Sequence, residues 1–191
     1  MSSPATVMST LLSSPMLTLA PAGLAEASPA EWYALCTRSR HEKQVAARLQ
    51  QIDIEYFLPV YSSVRRWKDR GVNLQLPLFP GYIFVHTSFQ HRIQVLSVPG
   101  AVRFVAFSGR PAALPESDLL RLRIGLDHGI RAQPHPYLKV GRRVRVRSGP
   151  LAGTEGILLR KKNQFRLIVS IDLIMRSVAV EIDSADVEPV R

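Results

Sequence analysis

Val140-Gly141-Arg142-Arg143-Val144-Arg145-Val146-Arg147-Ser148-Gly149-Pro150-Leu151-Ala152-Gly153-Thr154-Glu155-Gly156-Ile157-Leu158 combines an alternating basic strand with glycine-rich turns. Apolar side chains fall on one face of the strand and cations on the other: Val140, Val144 and Val146 against Arg143, Arg145 and Arg147. Gly149, Gly153 and Gly156 supply the backbone freedom that two sharp reversals need. The stretch therefore predicts a strand followed by two tight turns.

The composition indicates a basic protein with room for one or two domains. The chain has 191 residues and a formal net charge of +10. Residues 139–191 hold 11 basic and 6 acidic residues, and the remaining residues hold 14 and 9, so both portions are basic. This balance suits a protein that works beside phosphate backbones, although many basic proteins bind no nucleic acid.

The sequence offers little for metal, disulfide or enzyme chemistry. Cys36 is the single cysteine, which excludes an internal disulfide and fits a reducing cytoplasm. The five histidines are scattered without ligand-like spacing, and no Ser/His/Asp, paired-carboxylate or phosphate-loop constellation is present. We therefore expect no metal, no cofactor and no enzymatic activity.

The first 30 residues differ from the rest of the chain. They contain no Lys or Arg, and Pro15 and Pro21 interrupt their apolar stretch. This pattern favours a disordered tail over residues 1–30, or a start assigned too far upstream, over an export signal. No segment reaches the roughly 20 apolar residues that span a bilayer, so we expect no membrane association.

The pattern of residues 31–127 predicts an α+β domain with an antiparallel sheet and helices on one face. The predicted strands are Trp32–Thr37, Tyr56–Arg66, Val72–Leu76, Tyr82–His86 and Ala101–Phe107, and the predicted helices cover residues 40–51, a short segment with Phe89, Ile93 and Leu96 in register, and Leu119–Leu126. Ser39 and Glu42 form a capping box for the first helix. Residues 128–137 have the composition of a linker, and residues 138–191 form a second, strand-rich domain.

The strand predicted at Tyr82–His86 is apolar on both faces. Ile83 and Val85 point one way, and Tyr82 and Phe84 point the other. When helices cover one side of a sheet, the other side is normally polar because it faces water. An apolar second face therefore indicates a partner. The alternative is that these side chains fill the core.

Two blocks of the sequence resemble known motifs. The stretch quoted first resembles the KOW motif. The block Pro77-Leu78-Phe79-Pro80-Gly81-Tyr82-Ile83-Phe84-Val85, with Trp32-Tyr33 and Ser39-Arg40-His41-Glu42, resembles the N-terminal domain of the NusG family of transcription elongation factors. The resemblance covers roughly residues 31–191. It implies a plait-like N-terminal domain, with an antiparallel sheet and helices on one face, followed by a small SH3-like β-barrel.

The resemblance implies a transcription elongation or antitermination factor that binds the RNA polymerase clamp and promotes processive transcription. Matching aromatics of the family dock on the clamp, which makes Phe79, Tyr82 and Phe84 the anchors, with Cys36 at the edge. The KOW domain would recruit a further partner. We expect a cytoplasmic monomer. The alternative is a KOW-containing ribosome- or RNA-binding protein.

Two basic clusters are candidates for contact with the displaced non-template DNA strand. Similar proteins use basic residues beside the first helix, which here are Arg38, Arg40 and His41. The second cluster, in the predicted hairpin, comprises Arg65, Arg66, Lys68 and Arg70, where a cationic tip could reach phosphate. The alternative for both is a solvated surface.

The chain departs from the general elongation factor. The block at Pro77–Phe84 is closer to specialised RfaH-like antiterminators. Residues 170–180 lack the Phe-Gly-Arg turn with which the general factor meets Rho and a ribosomal protein, so these partners stay open.

The conformation of the second domain can also be predicted. Its β-branched residues and glycines disfavour helix. We therefore expect a permanent β-barrel, held by a flexible linker, that leaves the aromatic face open in the free protein.

Overall fold

The computed structural model describes residues 29–67, 70–138, 141–161 and 164–190. The tail predicted for residues 1–30 lies almost wholly outside these residues. In the N-terminal domain the elements are β1 (Glu31–Thr37), α1 (Glu42–Gln51), β2 (Glu55–Phe57), β3 (Val60–Trp67), β4 (Arg70–Pro77), β5 (Tyr82–Thr87), a 3-10 turn (Phe89–His91), α2 (Arg92–Leu96), β6 (Ala101–Phe104), β7 (Ala106–Phe107), β8 (Arg110–Pro111), β9 (Ala113–Leu114) and α3 (Glu116–Asp127).

The C-terminal domain is built from strands. Its elements are β10 (Ala132–His135), β11 (Arg142–Val146), β12 (Glu155–Lys161), β13 (Gln164–Ile171), a 3-10 turn (Asp172–Ile174), β14 (Arg176–Ile182), a 3-10 turn (Ser184–Asp186) and β15 (Val187–Pro189). They pair in the order β10-β14-β13-β12-β11-β15. The predicted fold class, an antiparallel α+β domain followed by a small β domain, is confirmed.

The N-terminal sheet has the order β2-β5-β1-β6, with β9 also pairing β1. β1 and β5 lie antiparallel at its centre, and one face packs on α1 and α2. The buried residues of this first core are Tyr33, Leu35, Val45, Ala46, Leu49, Ile83, Val85, Val95, Val98 and Phe104. The helical spacing of Val45, Ala46 and Leu49 thus gives α1 its buried stripe, as expected.

Two details of these helices differ from the prediction. The capping box is wrong: α1 begins after His41, no side chain caps it, and Glu42 turns inward to another partner. In α2 the buried residue is Val95, while Phe89 and Ile93 are exposed. The segment is a 3-10 turn followed by barely more than one helical turn, so the 3.6-residue spacing does not carry across it.

In the barrel, the alternation in β11 is confirmed. Val144 and Val146 are buried, whereas Arg143 and Arg145 are exposed. Gly156 has a different role from the predicted turn, because it lies inside β12, where a Cβ would stand 2.5 Å from the carbonyl oxygen of Ile168. Only glycine allows the two strands to approach so closely.

The linker predicted for residues 128–137 is partly wrong. Ala132–His135 forms β10 and pairs with β14, in a register that places Ala132 opposite Val180. Ala132 is buried there. Burial and strand pairing outweigh the turn-like composition of this segment, so only residues 128–131 separate α3 from the barrel.

The second face of the N-terminal sheet is covered as well. One core cluster joins Trp32, Ala34 and Phe84 of the sheet to Leu119 and Leu122 of α3 and to residues of the barrel. The prediction of helices on one face therefore needs a refinement, since α3 lies on the side opposite α1 and α2. The two domains share a continuous apolar core.

Candidate functional site

The candidate site is the face of the N-terminal sheet that turns away from α1. Alternation along β1 and β5 places Cys36 opposite Tyr82, Ala34 opposite Phe84, and Trp32 opposite His86. These side chains share one face because neighbouring residues of a strand point to opposite sides. We call them, with Phe57 and Phe79, the aromatic face.

The rings of the aromatic face touch one another. Phe84 is stacked with Phe57 at a centroid distance of 6.2 Å and meets Phe79 edge-on at 5.5 Å. Trp32 stacks on His86 at 5.1 Å. Offset and edge-on pairs of this kind hold rings in fixed positions. The structure thus brings Phe79, Tyr82 and Phe84 together, as the sequence predicts.

A hydrogen bond from outside the sheet shapes the turn before Tyr82. The Glu42 side chain is buried, and its Oε1 accepts a hydrogen bond of 2.7 Å from the backbone N–H of Gly81. Gly81 has a φ of 83°, a left-handed conformation that favours glycine. The carbonyl of Gly81 in turn accepts from the backbone N–H of Thr37. Glu42 thereby fixes where β5 starts and where Tyr82 lies.

The barrel covers the aromatic face. Phe79 and Phe84 are about 1% and 0% exposed. They belong to one cluster with α3 and with barrel residues, namely Val144, Val146, Leu151, Leu167, Ile174, Val178 and Val180. The expectation of an open aromatic face in the free protein is therefore wrong. The barrel keeps its β structure, as predicted, and carries enough apolar surface to bury the face without refolding.

Tyr82 and Cys36 lie at the rim of this contact and are partly buried. The guanidinium carbon of Arg176, from the barrel, lies 5.8 Å from the centroid of the Tyr82 ring. Burial raises the pKa of the Cys36 thiol, and the positive charge of Arg103 opposes that rise. Cys36 is therefore a neutral contact residue at physiological pH.

Sequence reasoning missed Arg123 of α3. Its guanidinium carbon lies 4.9 Å from the centroid of Phe57 and 5.5 Å from that of Trp32, and its Nη1 is 3.8 Å from Oε1 of Glu55. Such cation–π contacts stabilise by about 0.5–1 kcal/mol each when partly exposed. The charge pattern of α3 does not indicate these contacts, because they form only when folding brings Arg123 against the sheet.

The first basic cluster lies in the turn between β1 and α1. Arg38 and Arg40 are exposed, and Arg40 has a φ of 64°. The backbone N–H of Arg38 donates to the carbonyl of Gly100, and Nδ1 of His41 lies 2.9 Å from the carbonyl oxygen of Ser39. The structure thus gathers this cluster at one corner of the sheet.

The second basic cluster lies at the end of the β3–β4 hairpin. The backbone register pairs Arg65 with Val72, Arg66 with Gly71, and Trp67 with Arg70. The hairpin is therefore as predicted, although the single strand predicted for Tyr56–Arg66 is divided into β2 and β3. Lys68 and the side chains of Arg65, Arg66 and Arg70 lie outside the described residues.

Among the described residues, no group of three or more His, Cys, Asp or Glu side chains could hold a metal ion. None of the helices formed by those residues is long and apolar enough to cross a membrane. His86, a candidate ligand by type, instead faces Oε2 of Glu55 at 2.9 Å.

Comparison with known proteins points to one family. A family model described as "NusG: Transcription termination factor nusG" matches residues 30–123. The transcription termination/antitermination protein NusG of Escherichia coli strain K12 is 26% identical over 185 residues, covering 86% of this chain and 99% of that protein. The protein of the same name from Deinococcus radiodurans is 27% identical over 188 residues, covering 82% and 97%.

A solved structure shares the fold. It is described as "Domain interaction in Thermotoga maritima NusG", and it matches with a TM-score of 0.52 at 23% identity, covering 85% of this chain and 98% of that one. The curated relatives are matched over nearly their full length, so the likeness extends through both domains.

Proposed function

The chain belongs to the NusG family, and on that premise we propose that it is a transcription termination/antitermination factor that binds RNA polymerase through the aromatic face. The observation that carries the proposal is the double apolar character of the central sheet. One face holds the core with α1, while the other carries Phe79 in edge-on contact with Phe84, and Tyr82 packed against the same cluster. Aromatic clusters of this kind are typical anchors of protein interfaces.

The polymerase partner that we propose is an apolar helical surface of the clamp. Tyr82 makes the first contact because it lies at the rim and keeps part of its ring accessible. Phe79 and Phe84 follow once the barrel moves, since both are buried in the closed arrangement. Bridging the clamp would then favour the closed, processive polymerase.

Polymerase binding requires the barrel to leave the aromatic face. The polymerase and the barrel compete for the same side chains, so the polymerase shifts the equilibrium by its affinity for the open state. Opening also releases Leu151, Val178 and Val180, which pack in the shared core. We propose that this released barrel surface recruits the further partner. Antitermination of the specialised, RfaH-like kind is the form of the activity that this mechanism favours.

The first basic cluster supports a second part of the proposal. Arg38 and Arg40 are exposed at a corner of the sheet and can contact the non-template DNA strand. The cations of the barrel are less suited to phosphate, because Arg143 and Arg145 both face Glu155. This arrangement favours a polymerase-binding factor over a ribosome- or RNA-binding protein.

Affinity capture with the full-length chain tests the proposed function. We expect purified core RNA polymerase to be retained, and retention to rise when barrel contacts are weakened. Ribosomal RNA offered under the same conditions should not be retained. Capture of ribosomal RNA without polymerase would reverse the assignment.

A further inference from the structure

A cavity of about 570 Å³ lies between α3 and the barrel, and the proposed function makes no use of it. Small-molecule sites occupy roughly 300–1,000 Å³. Both domains contribute to the walls: Leu122 comes from α3, Phe79 from the aromatic face, and Leu151 from the barrel. A molecule in this cavity would touch both domains at once.

The inner wall of the cavity is apolar. It is completed by β-branched side chains of β13 and β14, namely Val169, Ile171, Val178 and Val180. These side chains have few rotamers, so the wall keeps its shape. The wall suits an aliphatic or aromatic body, and the hydroxyl of Ser170, which also lines the cavity, is engaged with Leu138 and Ser177.

The mouth of the cavity carries two arginines, Arg145 and Arg121, and only Arg145 is in a close ion pair. Nε and Nη2 of Arg145 donate to Oε1 of Glu155, at 3.1 Å for Nε and 2.6 Å for Nη2, so these two charges balance. Arg121 is different. In the described part of the chain its one ion pair is with Asp118, an exposed side chain whose Oδ1 lies 3.9 Å from Nη1 of Arg121, and its charge also helps Arg145 and Arg143 to lower the pKa of Glu155. A guanidinium with free donors is a receptor for carboxylates.

A second donor lines the same space. The side-chain hydroxyl of Thr154 is buried and has no hydrogen-bond partner among the described residues. A buried hydroxyl gains by donating to an acceptor, since burial without one is costly. Thr154 lines the cavity, but its hydroxyl oxygen is closed to water, so a ligand gains this donor only when the Thr154 side chain rotates. Arg121 is the donor that already stands at the mouth of the apolar chamber.

We propose that this cavity binds a small amphiphilic carboxylate, with its apolar body against β13 and β14 and its carboxylate at Arg121, and that the bound molecule holds the domains closed. The closing role rests on the proposed function, in which the barrel must leave the aromatic face. A monoanion fits better than a phosphate dianion, because Asp118 and Glu155 also line the mouth. The ligand stabilises the closed state because its binding site exists only there.

Calorimetric titration of the full-length chain with octanoate, beside octan-1-ol of equal chain length, tests the site. We expect one-to-one binding of octanoate with a Kd of roughly 0.1 mM or tighter, and octanol at least about tenfold weaker. Arg121→Gln should weaken octanoate about tenfold and leave octanol unchanged. Arg110→Gln, in the exposed β7–β8 hairpin, is the matched control and should bind as the parent does.

Filling the cavity gives an independent test. Val169→Phe places a ring in the cavity and should abolish octanoate binding while circular dichroism stays unchanged. Equal binding of octanoate and octanol, or unchanged octanoate binding by Val169→Phe, would overturn the site.

Octanoate should also reduce polymerase capture. If it binds without doing so, the closing role is wrong, whereas capture without octanoate still reports on the proposed function.

Discussion

Gly125 of α3 lies directly against Leu151 of the barrel: a Cβ at position 125 would stand 2.6 Å from Cδ2 of Leu151. Both residues are buried. A glycine inside a helix costs about 1 kcal/mol relative to alanine. Its presence here is explained by the close approach of the barrel, where a side chain at position 125 fits only if Leu151 shifts.

Gly125→Leu should open the two domains. Leucine favours helix, so α3 itself should gain stability, while the new side chain collides with Leu151 and separates the barrel from α3. We expect tighter polymerase capture and a larger radius of gyration by small-angle X-ray scattering. Leu151→Ala in the same chain makes room for the new side chain and should restore closure in part.

The exposed face of α3 supplies the control for that variant. Ile124→Leu changes a partly exposed neighbour and should leave capture and size unchanged. If Gly125→Leu binds polymerase no better than Ile124→Leu does, the barrel does not restrict the aromatic face.

Tyr82→Ala should weaken polymerase binding with little loss of stability. Interface aromatics cost about 2 kcal/mol or more when truncated, which is a loss of roughly thirtyfold in affinity. Phe107→Ala, which removes a ring that is 75% exposed, is the matched control and should bind normally. Equal binding by both variants would show that the rim of the aromatic face makes no contact.

Glu42→Ala should destabilise the N-terminal domain by about 1–3 kcal/mol, because the partly buried N–H of Gly81 loses its acceptor. Urea unfolding measures the loss. Glu42→Gln keeps an acceptor oxygen and should lose less. Gln44→Ala, at an exposed position of α1, should unfold like the parent chain, and a comparable loss there would assign the effect to the helix rather than to the turn.

Arg38→Gln and Arg40→Gln should each reduce the salt dependence of single-stranded DNA binding. A phosphate contact contributes about 0.7 to the slope of log affinity against log salt concentration for single strands. Fluorescence anisotropy over a salt series gives this slope. Arg48→Gln, on the exposed surface of α1, provides the reference. Identical slopes in all three variants would make the first basic cluster an ordinary solvated surface.

Much of the fold could be predicted because the sequence patterns are local. Alternation in β11, the continuous apolar run of β5 and the helical spacing in α1 identify elements that the structure contains. The hairpin β3–β4 and the order of the elements follow from turn residues in the same way. Predictions failed where tertiary contacts determine the role of a side chain. The carboxylate of Glu42, for example, accepts a hydrogen bond from a distant turn instead of capping its own helix.

The sequence predicts which residues form the site, but it does not predict that the barrel covers them. Tyr82 and Phe84 share one face, as their spacing predicts, and Phe79 joins them, as the family resemblance implies. The covering of this face depends on Leu151 and Gly125, which are far apart in sequence and show no pattern linking them. Apolar residues of the barrel could serve its own interior or a neighbour, and periodicity does not distinguish the two.

The pairing of β10 with β14 sets the length of the tether between the domains. Asp127 ends α3 and Ala132 begins β10, so only four residues intervene and these two ends can separate by roughly 15–20 Å at most. A domain joined by so short a tether has an effective concentration in the millimolar range at its binding face. RNA polymerase must compete with that local concentration, and the rate of reclosure does not depend on how much protein the cell contains.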